Sequence, residues 1–420
     1  MLKRRDFLDR GTRALAGLGL VGPHALPTET AGTEPDGGPV DYYERLGVAK
    51  IINAAGTYTY LTASTMPRAV QDAVAQAAKS PVRLRDLQLA AGRYLANRLH
   101  CEAAMVTCGA ASALSIGTAA AMTLGRDPAA AGDVPARVAN FKREVIIQHG
   151  HHLTHEHALE MAGAVLVEVE TLADYQRAFT DRTAVAFYFN AAESGLIGRE
   201  EWIEVAHRHG VPCFNDAAAD VPPIANLWNY TKMGFDLVAF SGGKGLRGPQ
   251  NAGLLLGRRD LIEAAHANNV PNDRAIGRGM KVAKEQIVGM VAAVDWLLSQ
   301  DEDALRREWH ARATRIAAEL AGLPTVTHDV VVPPVANNVP HLTVRYDQSR
   351  IRIAPIEVAR ALRDGTPSIE LNPGTGRPSG AAGLGSDEGT IVVGVWMLEP
   401  GEELIVARRL KDVLSRALGA

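Results

Sequence analysis

The sequence has little cysteine, few aromatic residues and no excess of one charge. Only 3 of its 420 residues are cysteines, and aromatic residues make up 5%. The spacing of Cys101, Cys108 and Cys213 is unpaired, so neither a disulfide framework nor a zinc site is expected. Cys213 lies in an apolar run and is expected to be a buried small hydrophobe. A net charge of -3 gives no basic surface for nucleic acid.

No apolar run beyond the first residues is long enough to span a bilayer, so no stable membrane association is expected. The start of the chain, Lys3-Arg4-Arg5-Asp6-Phe7-Leu8, resembles a twin-arginine export signal. A short apolar stretch and a Pro/Gly-rich linker follow, up to residue 38. We therefore expect the export machinery to carry the folded protein to the periplasm or outside the cell. Because Lys3 and Asp9 depart from the commonest signal, a disordered basic start is the alternative.

Between residues 103 and 256, apolar β-prone runs alternate with helical patterns. This alternation predicts an α/β fold with a mostly parallel sheet covered by helices on both faces. After residue 301 the pattern predicts a smaller α+β domain. The expected organisation is a signal and linker (1–38), an N-terminal arm (39–65), a large domain (66–300) and a small domain (301–420). The predicted strands of the sheet are Ala103–Val106, Val145–Ile147, Val165–Val169, Ala184–Phe189, Pro212–Phe214, Leu237–Phe240 and Gly253–Leu256.

A lysine among small residues follows one of these strands, in the run Ser241-Gly242-Gly243-Lys244-Gly245-Leu246-Arg247-Gly248. A Schiff-base cofactor needs such an amine, and glycines let a flat, phosphorylated ring approach the backbone. Ser241 is close enough in sequence to hydrogen-bond the same phosphate. Since glycine-rich turns with one lysine are common, this pattern alone leaves a structural turn as the alternative.

A second segment, Thr107-Cys108-Gly109-Ala110-Ala111-Ser112, follows another predicted strand and opens a helix. Small residues at a helix start expose unpaired N–H groups to a phosphate, and the helix dipole favours its charge. The same residues could instead only pack the helix against the sheet. In open parallel sheets, ligands bind beyond the carboxyl ends of the strands, where all these segments are expected.

Asp216 ends the predicted strand before the lysine strand. A carboxylate there could keep a pyridine nitrogen protonated and make the ring an electron sink, although it could also cap a turn. Five histidines lie between His149 and His157. We favour one of them, His151, stacked on an aromatic cofactor; metal ligands and solvated side chains are the alternatives, and no carboxylate pair completes a metal site in the sequence.

The chain resembles the fold-type-I pyridoxal-phosphate enzymes, in particular the selenocysteine synthase family, from about residue 42 to 410. The matching landmarks are Ile52-Asn53-Ala54-Ala55-Gly56-Thr57, Leu87-Gln88, Gly150-His151, Asp216-Ala217-Ala218-Ala219, Ser241-Gly242-Gly243-Lys244 and Gly248-Pro249-Gln250.

The resemblance implies pyridoxal 5'-phosphate bound through Lys244, with Asp216 on the pyridinium. It implies that residues 109–112 and Ser241 hold the phosphate, and that Ala218 packs against the ring face opposite His151. It also implies at least a dimer, with active sites at subunit interfaces. Arg247 and Arg278 are candidates for a substrate carboxylate, or for structural ion pairs.

The expected substrate is a small amine, an amino acid or an amino sugar acid. The resemblance favours α,β-elimination of the ammonia-lyase type, with β-replacement, aldol cleavage and racemisation as competitors. The family's tRNA-binding N-terminal domain is not recognised, and the charge is slightly negative, so seryl-tRNA is not expected as a substrate. A binding protein of the same fold is the non-enzymatic alternative.

Overall fold

The computed structural model describes residues 40–128, 133–152, 155–190, 197–378 and 384–419. The contacts divide the chain into two units, Met1–Ala49 and Lys50–Ala420. In the first unit, helix α1 (Tyr42–Arg45) begins after Asp41, whose carboxylate accepts the backbone N–H groups of Tyr43 and Glu44. This cap satisfies two of the donors that a helix start leaves unpaired. The predicted export signal and linker lie outside the described residues.

The second unit contains a seven-stranded sheet in its described part, in the order β2-β8-β7-β6-β5-β3-β4. Among these strands, β8 alone runs antiparallel to its neighbours, so the carboxyl ends of the other six meet at one edge. All seven predicted strands are present, and the predicted α/β class is confirmed. The seven strands are β2 (Ala103–Thr107), β3 (Glu144–Gln148), β4 (Val165–Val169), β5 (Thr183–Phe189), β6 (Cys213–Asp216), β7 (Leu237–Ser241) and β8 (Gly253–Gly257).

Helices cover both faces of this sheet because successive apolar side chains of its strands point to opposite faces. Val238 and Phe240 of β7 belong to one core, whereas Leu237 and Ala239 belong to the other. Cys213 is fully buried, as its apolar surroundings predict. The helices in this part of the chain are α2 (Arg68–Ala78), α3 (Leu84–Arg98), α4 (Gly109–Met122), α5 (Val134–Arg137), α6 (His157–Glu160), α7 (Leu172–Arg177), α8 (Arg199–Arg208), α9 (Asn226–Met233), α10 (Arg259–Ala267) and α11 (Lys284–Leu298).

The predicted helix from Met280 to Ser299 begins later in the structure. Helix α11 starts at Lys284 because Ala283 is extended, and a short 3-10 helix occupies Ile276–Met280. Among the described residues, no helix combines the length and the apolar character that a membrane crossing needs.

The carboxyl-terminal residues form a separate core of α+β character. Strand β1 (Ile51–Ala54) joins this core although it lies far away in sequence, because it pairs in parallel with β11 (Ser368–Leu371). The predicted domain boundaries at residues 65 and 300 remain predictions. The remaining elements are β1 (Ile51–Ala54), β9 (Thr327–Val331), β10 (His341–Arg345), β11 (Ser368–Leu371), β12 (Ile391–Gly394), α12 (Glu302–Leu320), α13 (Pro355–Arg363) and α14 (Glu402–Arg416).

Candidate active site

The lysine predicted to carry a cofactor lies in a tight loop beyond β7. The N–H of Gly242 donates to the carbonyl of Ala252, 2.8 Å away, which ties the start of the loop to the segment before β8. At position 245 a Cβ atom would lie 1.9 Å from the carbonyl oxygen of Val221, so glycine alone fits there. The glycines next to Lys244 therefore allow close backbone packing that fixes the loop.

Residues of the predicted N-terminal arm also form hydrogen bonds with this loop. The hydroxyl of Ser64 donates to the carbonyl of Gly243 at 2.6 Å. The side-chain amide of Gln250 donates to the carbonyl of Thr59 at 3.0 Å. Sequence reasoning missed these contacts, since nothing in the local pattern of residues 59–64 signals a partner almost two hundred residues away.

Lys244 and Asp216 form an electrostatic pair at the ends of neighbouring parallel strands. Asp216 is 4% exposed, and one of its oxygens, Oδ1, accepts the N–H of Ala218 at 3.0 Å. Burial raises the pKa of Asp216, while the Ala218 N–H and the charge of Lys244 oppose that shift. Burial lowers the pKa of Lys244, and the Asp216 and Asp220 carboxylates oppose it. Burial therefore shifts the pKa values of this carboxylate and this amine in opposite directions.

The predicted phosphate segment is the start of α4, and it faces the lysine loop. Gly253 of β8 pairs with Thr107 on one side and with Ser241 on the other, which brings the ends of β2 and β7 together. Gly109 has a φ of +81°, in the left-handed region that favours glycine. The residue before it, Cys108, offers no side-chain cap to the helix.

Two hydroxyl groups orient the first turn of α4. Those of Thr107 and Ser112 donate to the carbonyl of Gly109, at 2.9 and 3.2 Å. Ala110 is partly buried and Ala111 is exposed. The turn therefore presents backbone N–H groups with no side-chain cap, which is the donor set that an anion requires.

His151 is buried beside β5, with 1% of its surface exposed, and its predicted stacking on a cofactor remains a prediction. Its Nδ1 accepts the N–H of Phe189 at 3.2 Å, which places the ring proton of the neutral form on Nε2. Its ring meets Tyr188 edge-on, with centroids 4.5 Å apart. Ala218 is tied to the start of the lysine loop, because its carbonyl accepts the N–H of Ser241 at 3.3 Å.

The flanking histidines contact glutamate side chains. His149 contacts Glu168, and His152 contacts Glu168 and Glu156, each at 2.9 Å from His152. Glu168 comes from β4, so the sequence alone did not show that carboxylates approach these histidines. The pKa of His149 is raised by its hydrogen bond to Glu168.

The two arginines proposed for substrate lie in different surroundings. Arg247 donates to the carbonyl and the hydroxyl of Thr65, at 2.9 and 2.6 Å, and pairs with Glu399 at 3.2 Å. This is the structural ion pair considered as its alternative role. Arg278 is more exposed and pairs with Asp273 at 3.0 Å.

A buried polar network next to Asp216 was missed by sequence reasoning. Asp220 is 2% exposed and accepts the hydroxyl of Tyr230 at 3.1 Å and the side-chain amide of Asn190. The guanidinium of Arg199 donates to the oxygen of the Asn190 side chain. The members come from the ends of β5 and β6 and from two helices, so only the fold brings them together. The one available signal was a second aspartate four residues after Asp216.

The sequence also matches a protein family, over residues 51–307, described as L-seryl-tRNA selenium transferase. The match covers more than half of the chain. The chain belongs to this family. The family resemblance drawn from the landmarks is thereby confirmed, and so is the expectation of an enzyme of the lyase and transferase type that this family contains.

Individual relatives extend over nearly the whole chain. A 5'-C-glycyluridine monooxygenase-decarboxylase from a Streptomyces species is 28% identical over 386 residues, covering 89% of this chain and 92% of that protein. The D-glucosaminate-6-phosphate ammonia lyase of Salmonella typhimurium is 25% identical over 392 residues, covering 89% and 98%. The solved structure of a D-glucosaminate-6-phosphate ammonia-lyase superposes with a TM-score of 0.76 at 24% identity, covering 90% of this chain and 99% of that one. The predicted fold of the family is confirmed.

Proposed function

We propose that the site binds pyridoxal 5'-phosphate through Lys244. The observation that carries this proposal is the pairing of a buried carboxylate, Asp216, with the Lys244 amine beside an uncapped helix start. These groups match the cofactor's chemistry: an amine for its aldehyde, a carboxylate for its ring nitrogen and N–H donors for its phosphate. Gly109, Ala110, Ala111, Ser112 and Ser241 would hold the phosphate. His151 and Ala218 would lie against the two faces of the ring.

When bound, the cofactor supplies an electron sink for a negative charge at the Cα atom of the substrate. Asp216 would hold a proton on the ring nitrogen, because an anion next to that nitrogen favours its charged form. Lys244, released when the substrate amine takes its place, would remove the Cα proton and return it later in the cycle. Burial lowers the pKa of Lys244 and thereby enlarges the fraction of neutral amine that can act as a base.

We propose α,β-elimination of the ammonia-lyase type on a small amino acid or amino sugar acid. The likeness to an ammonia lyase over 98% of that protein's length supports it. A screen of D- and L-amino acids and amino sugar acids for release of ammonia and a 2-oxo acid tests the reaction. Release of both products in equal amounts, abolished in Lys244→Ala, is expected; no ammonia from any member of the screen would contradict elimination.

A second candidate is decarboxylation of an amino acid, favoured by the 28% identity to the monooxygenase-decarboxylase. It would release CO2 instead of ammonia, and an assay for CO2 added to the same screen distinguishes the two. β-Replacement, aldol cleavage and racemisation would release neither ammonia with a 2-oxo acid nor CO2. A binding protein of this fold would take up the ligand without turnover.

The substrate carboxylate would be held by an arginine. Arg278 has the more accessible guanidinium, whereas Arg247 is engaged with Thr65 and Glu399. A rise in KM at unchanged kcat in Arg278→Ala, with no such rise in Arg274→Ala, supports Arg278. Equal KM values for Arg278→Ala and Arg274→Ala would mean that a group other than Arg278 binds the substrate carboxylate.

We further propose a homo-oligomer, at least a dimer, that acts on a small molecule rather than on RNA and is exported by the twin-arginine route. The slightly negative net charge and the full-length likeness to relatives named for small molecules support the substrate class. Periplasmic protein that has lost its first residues supports export, and cytosolic protein with Met1 intact contradicts it. A sedimenting mass of a single chain at micromolar concentration contradicts the oligomer.

A further inference from the structure

A cavity of about 200 Å³ lies between the two cores of the second unit. Leu297 in its wall belongs to a core of the seven-stranded sheet, whereas Trp309 belongs to the carboxyl-terminal core. Neither Lys244 nor Asp216 is among the described residues that line it. Because an apolar cavity of about 150 Å³ is large enough to bind benzene, this one has room for a flat molecule of one or two rings.

The wall of the cavity is rich in indole rings. Three of the five tryptophans of the chain line it, namely Trp296, Trp309 and Trp396. The rings of Trp309 and Trp396 meet edge-on, with centroids 6.2 Å apart and planes at 80°. Aromatic rings pack favourably on both the faces and the edges of other rings. A wall of this composition therefore favours a flat aromatic ligand over an aliphatic one.

The charged side chains of the wall already have partners of opposite charge. The pairs are Arg247–Glu399 at 3.2 Å, Glu302–Arg306 at 2.9 Å and Arg312–Glu308 at 3.1 Å. Arg312 is only 9% exposed and also donates to the carbonyl of Leu398, which fixes the wall at that point. An ionic ligand would have to enter without a counter-ion of its own, which is costly in an apolar site. The cavity therefore favours a neutral ligand.

The cavity also touches the lysine loop, because Gly245 and Arg247 form part of its wall. The guanidinium carbon of Arg247 lies 5.8 Å from the centroid of the Trp296 ring, within the range of a cation–π contact. Gly245 packs closely on the carbonyl of Val221, which is another residue of the wall. A molecule in the cavity would therefore contact the segment that directly follows Lys244.

We propose that this cavity is a binding site for a neutral aromatic molecule of one or two rings, separate from the site of Lys244. Small-molecule sites are mostly apolar and aromatic cavities with few polar groups, and they occur preferentially where two parts of a fold meet. The cavity has this composition and this position. The proposal does not depend on the function proposed for Lys244, since neither cofactor nor substrate takes part in the binding.

The test uses protein labelled with 5-fluorotryptophan, titrated with 2-naphthol at pH 7 and followed by fluorine NMR. Single Trp→Phe variants assign the five resonances. Those of Trp296, Trp309 and Trp396 should shift to saturation, with half-saturation below about 1 mM, whereas those of Trp202 and Trp228 should stay in place. Decahydro-2-naphthol has the same skeleton without aromatic rings and should bind about tenfold more weakly.

A variant that fills the cavity provides the second test. Leu305 lines the cavity, so Leu305→Trp should weaken the binding of 2-naphthol at least about tenfold, as measured by equilibrium dialysis. The matched control is Leu404→Trp on the exposed side of α14, which should bind as wild type does. If Leu305→Trp does not fold, Trp296→Leu removes one ring of the wall and should weaken binding about fivefold or more.

Unchanged affinity in the folded filling variant, or in Trp296→Leu, would overturn the proposal. Equal shifts of all five fluorine resonances would also overturn it, because they would indicate general contact with the protein surface. The absence of any saturable shift would have the same meaning.

Discussion

At the amino-terminal edge of the seven-stranded sheet, both oxygens of the buried Asp236 have donors, whereas at the carboxyl edge one oxygen of Asp220 has no donor among the described residues. Asp236 accepts from Arg258 at 2.9 Å, from His207 at 2.8 Å and from the N–H of Cys213 at 2.7 Å. The Asp236 carboxylate is therefore fully hydrogen-bonded by groups of the fold itself. The buried carboxylate at the amino-terminal edge therefore has donors for both of its oxygens, whereas the one at the carboxyl edge has donors for only one of them among the described residues.

The contrast follows from the direction of the strands. Parallel strands gather their carboxyl ends, and the loops and helix starts that follow them, at one edge. Polar side chains placed there lie near Lys244 and near the start of α4, which has no side-chain cap. They are not surrounded by their own hydrogen-bond partners in the way that Asp236 is.

The largest effect is expected from Lys244→Ala. Turnover should fall by about a thousandfold or more, because removal of a covalent and proton-transfer group costs on the order of 4 kcal/mol or more in barrier height. Urea unfolding of the cofactor-free variant should change by less than about 1 kcal/mol, since the amine is unfavourably buried. The control Lys232→Ala removes an exposed lysine near the opposite edge and should keep full turnover.

At the amino-terminal edge, Asp236→Asn should reverse this pattern. The free energy of unfolding should fall by about 3 kcal/mol, because Arg258 and His207 lose a buried anion. Turnover per folded molecule should stay within about twofold of wild type. The matched control is Asp260→Asn, which removes the more exposed partner of Arg258 and should cost less than about 1 kcal/mol. Equal costs for the two variants would contradict the assignment of Asp236 as the stabilising group.

The pH dependence of stability should differ at the carboxyl edge. Burial raises the pKa of Asp220 from 3.8 to about 6, so its stabilising contribution is present at low pH and is lost as pH rises through about 6. Relative to wild type, cofactor-free Asp220→Asn should therefore gain about 1–2 kcal/mol of unfolding free energy between pH 5 and 8. Urea melts across that range measure the difference. A constant difference would mean that Asp220 is not a buried acid of this kind.

A smaller effect is expected where the lysine loop meets the rest of the chain. Arg247 has a φ of +52°, which is strained for any residue except glycine. Arg247→Ala should lose the bonds to Thr65 and Glu399 and keep the strain, at a cost of about 1–2 kcal/mol. Arg247→Gly loses the same bonds but relieves the strain, so it should be less destabilised by about 1 kcal/mol. Thermal melts of the two variants side by side provide the measurement.

Much of the fold could be predicted from local pattern, because the strands of the parallel sheet are short apolar runs with helices between them. Lys244 and Asp216 were identifiable because each directly follows such a run, and strand ends meet at one edge. The pairing of β1 with β11 could not be predicted, since two four-residue strands more than 300 residues apart carry no mutual signal. The start of α11 was misplaced because the helical pattern continues through the extended Ala283.

The polar part of the site was harder to predict than its central pair. Asn190, Asp220 and Tyr230 are each ordinary residues in sequence, and their network exists only when two strand ends and a helix converge. Residues 191–196, which follow Asn190, lie outside the described residues. Asp220 could therefore be recognised only from its contacts in the folded structure and not from its spacing in the sequence.

If the carboxyl edge is a cofactor site built on Lys244, covalent mapping should find the cofactor on that lysine. The purified protein is incubated with pyridoxal 5'-phosphate, reduced with borohydride and digested, and the modified peptide is sequenced by mass spectrometry. We expect one phosphopyridoxyl group per chain on Lys244, absent in Lys244→Ala and retained in Asp236→Asn. A protein that stays colourless and unmodified, or one modified on surface lysines alone, would contradict it.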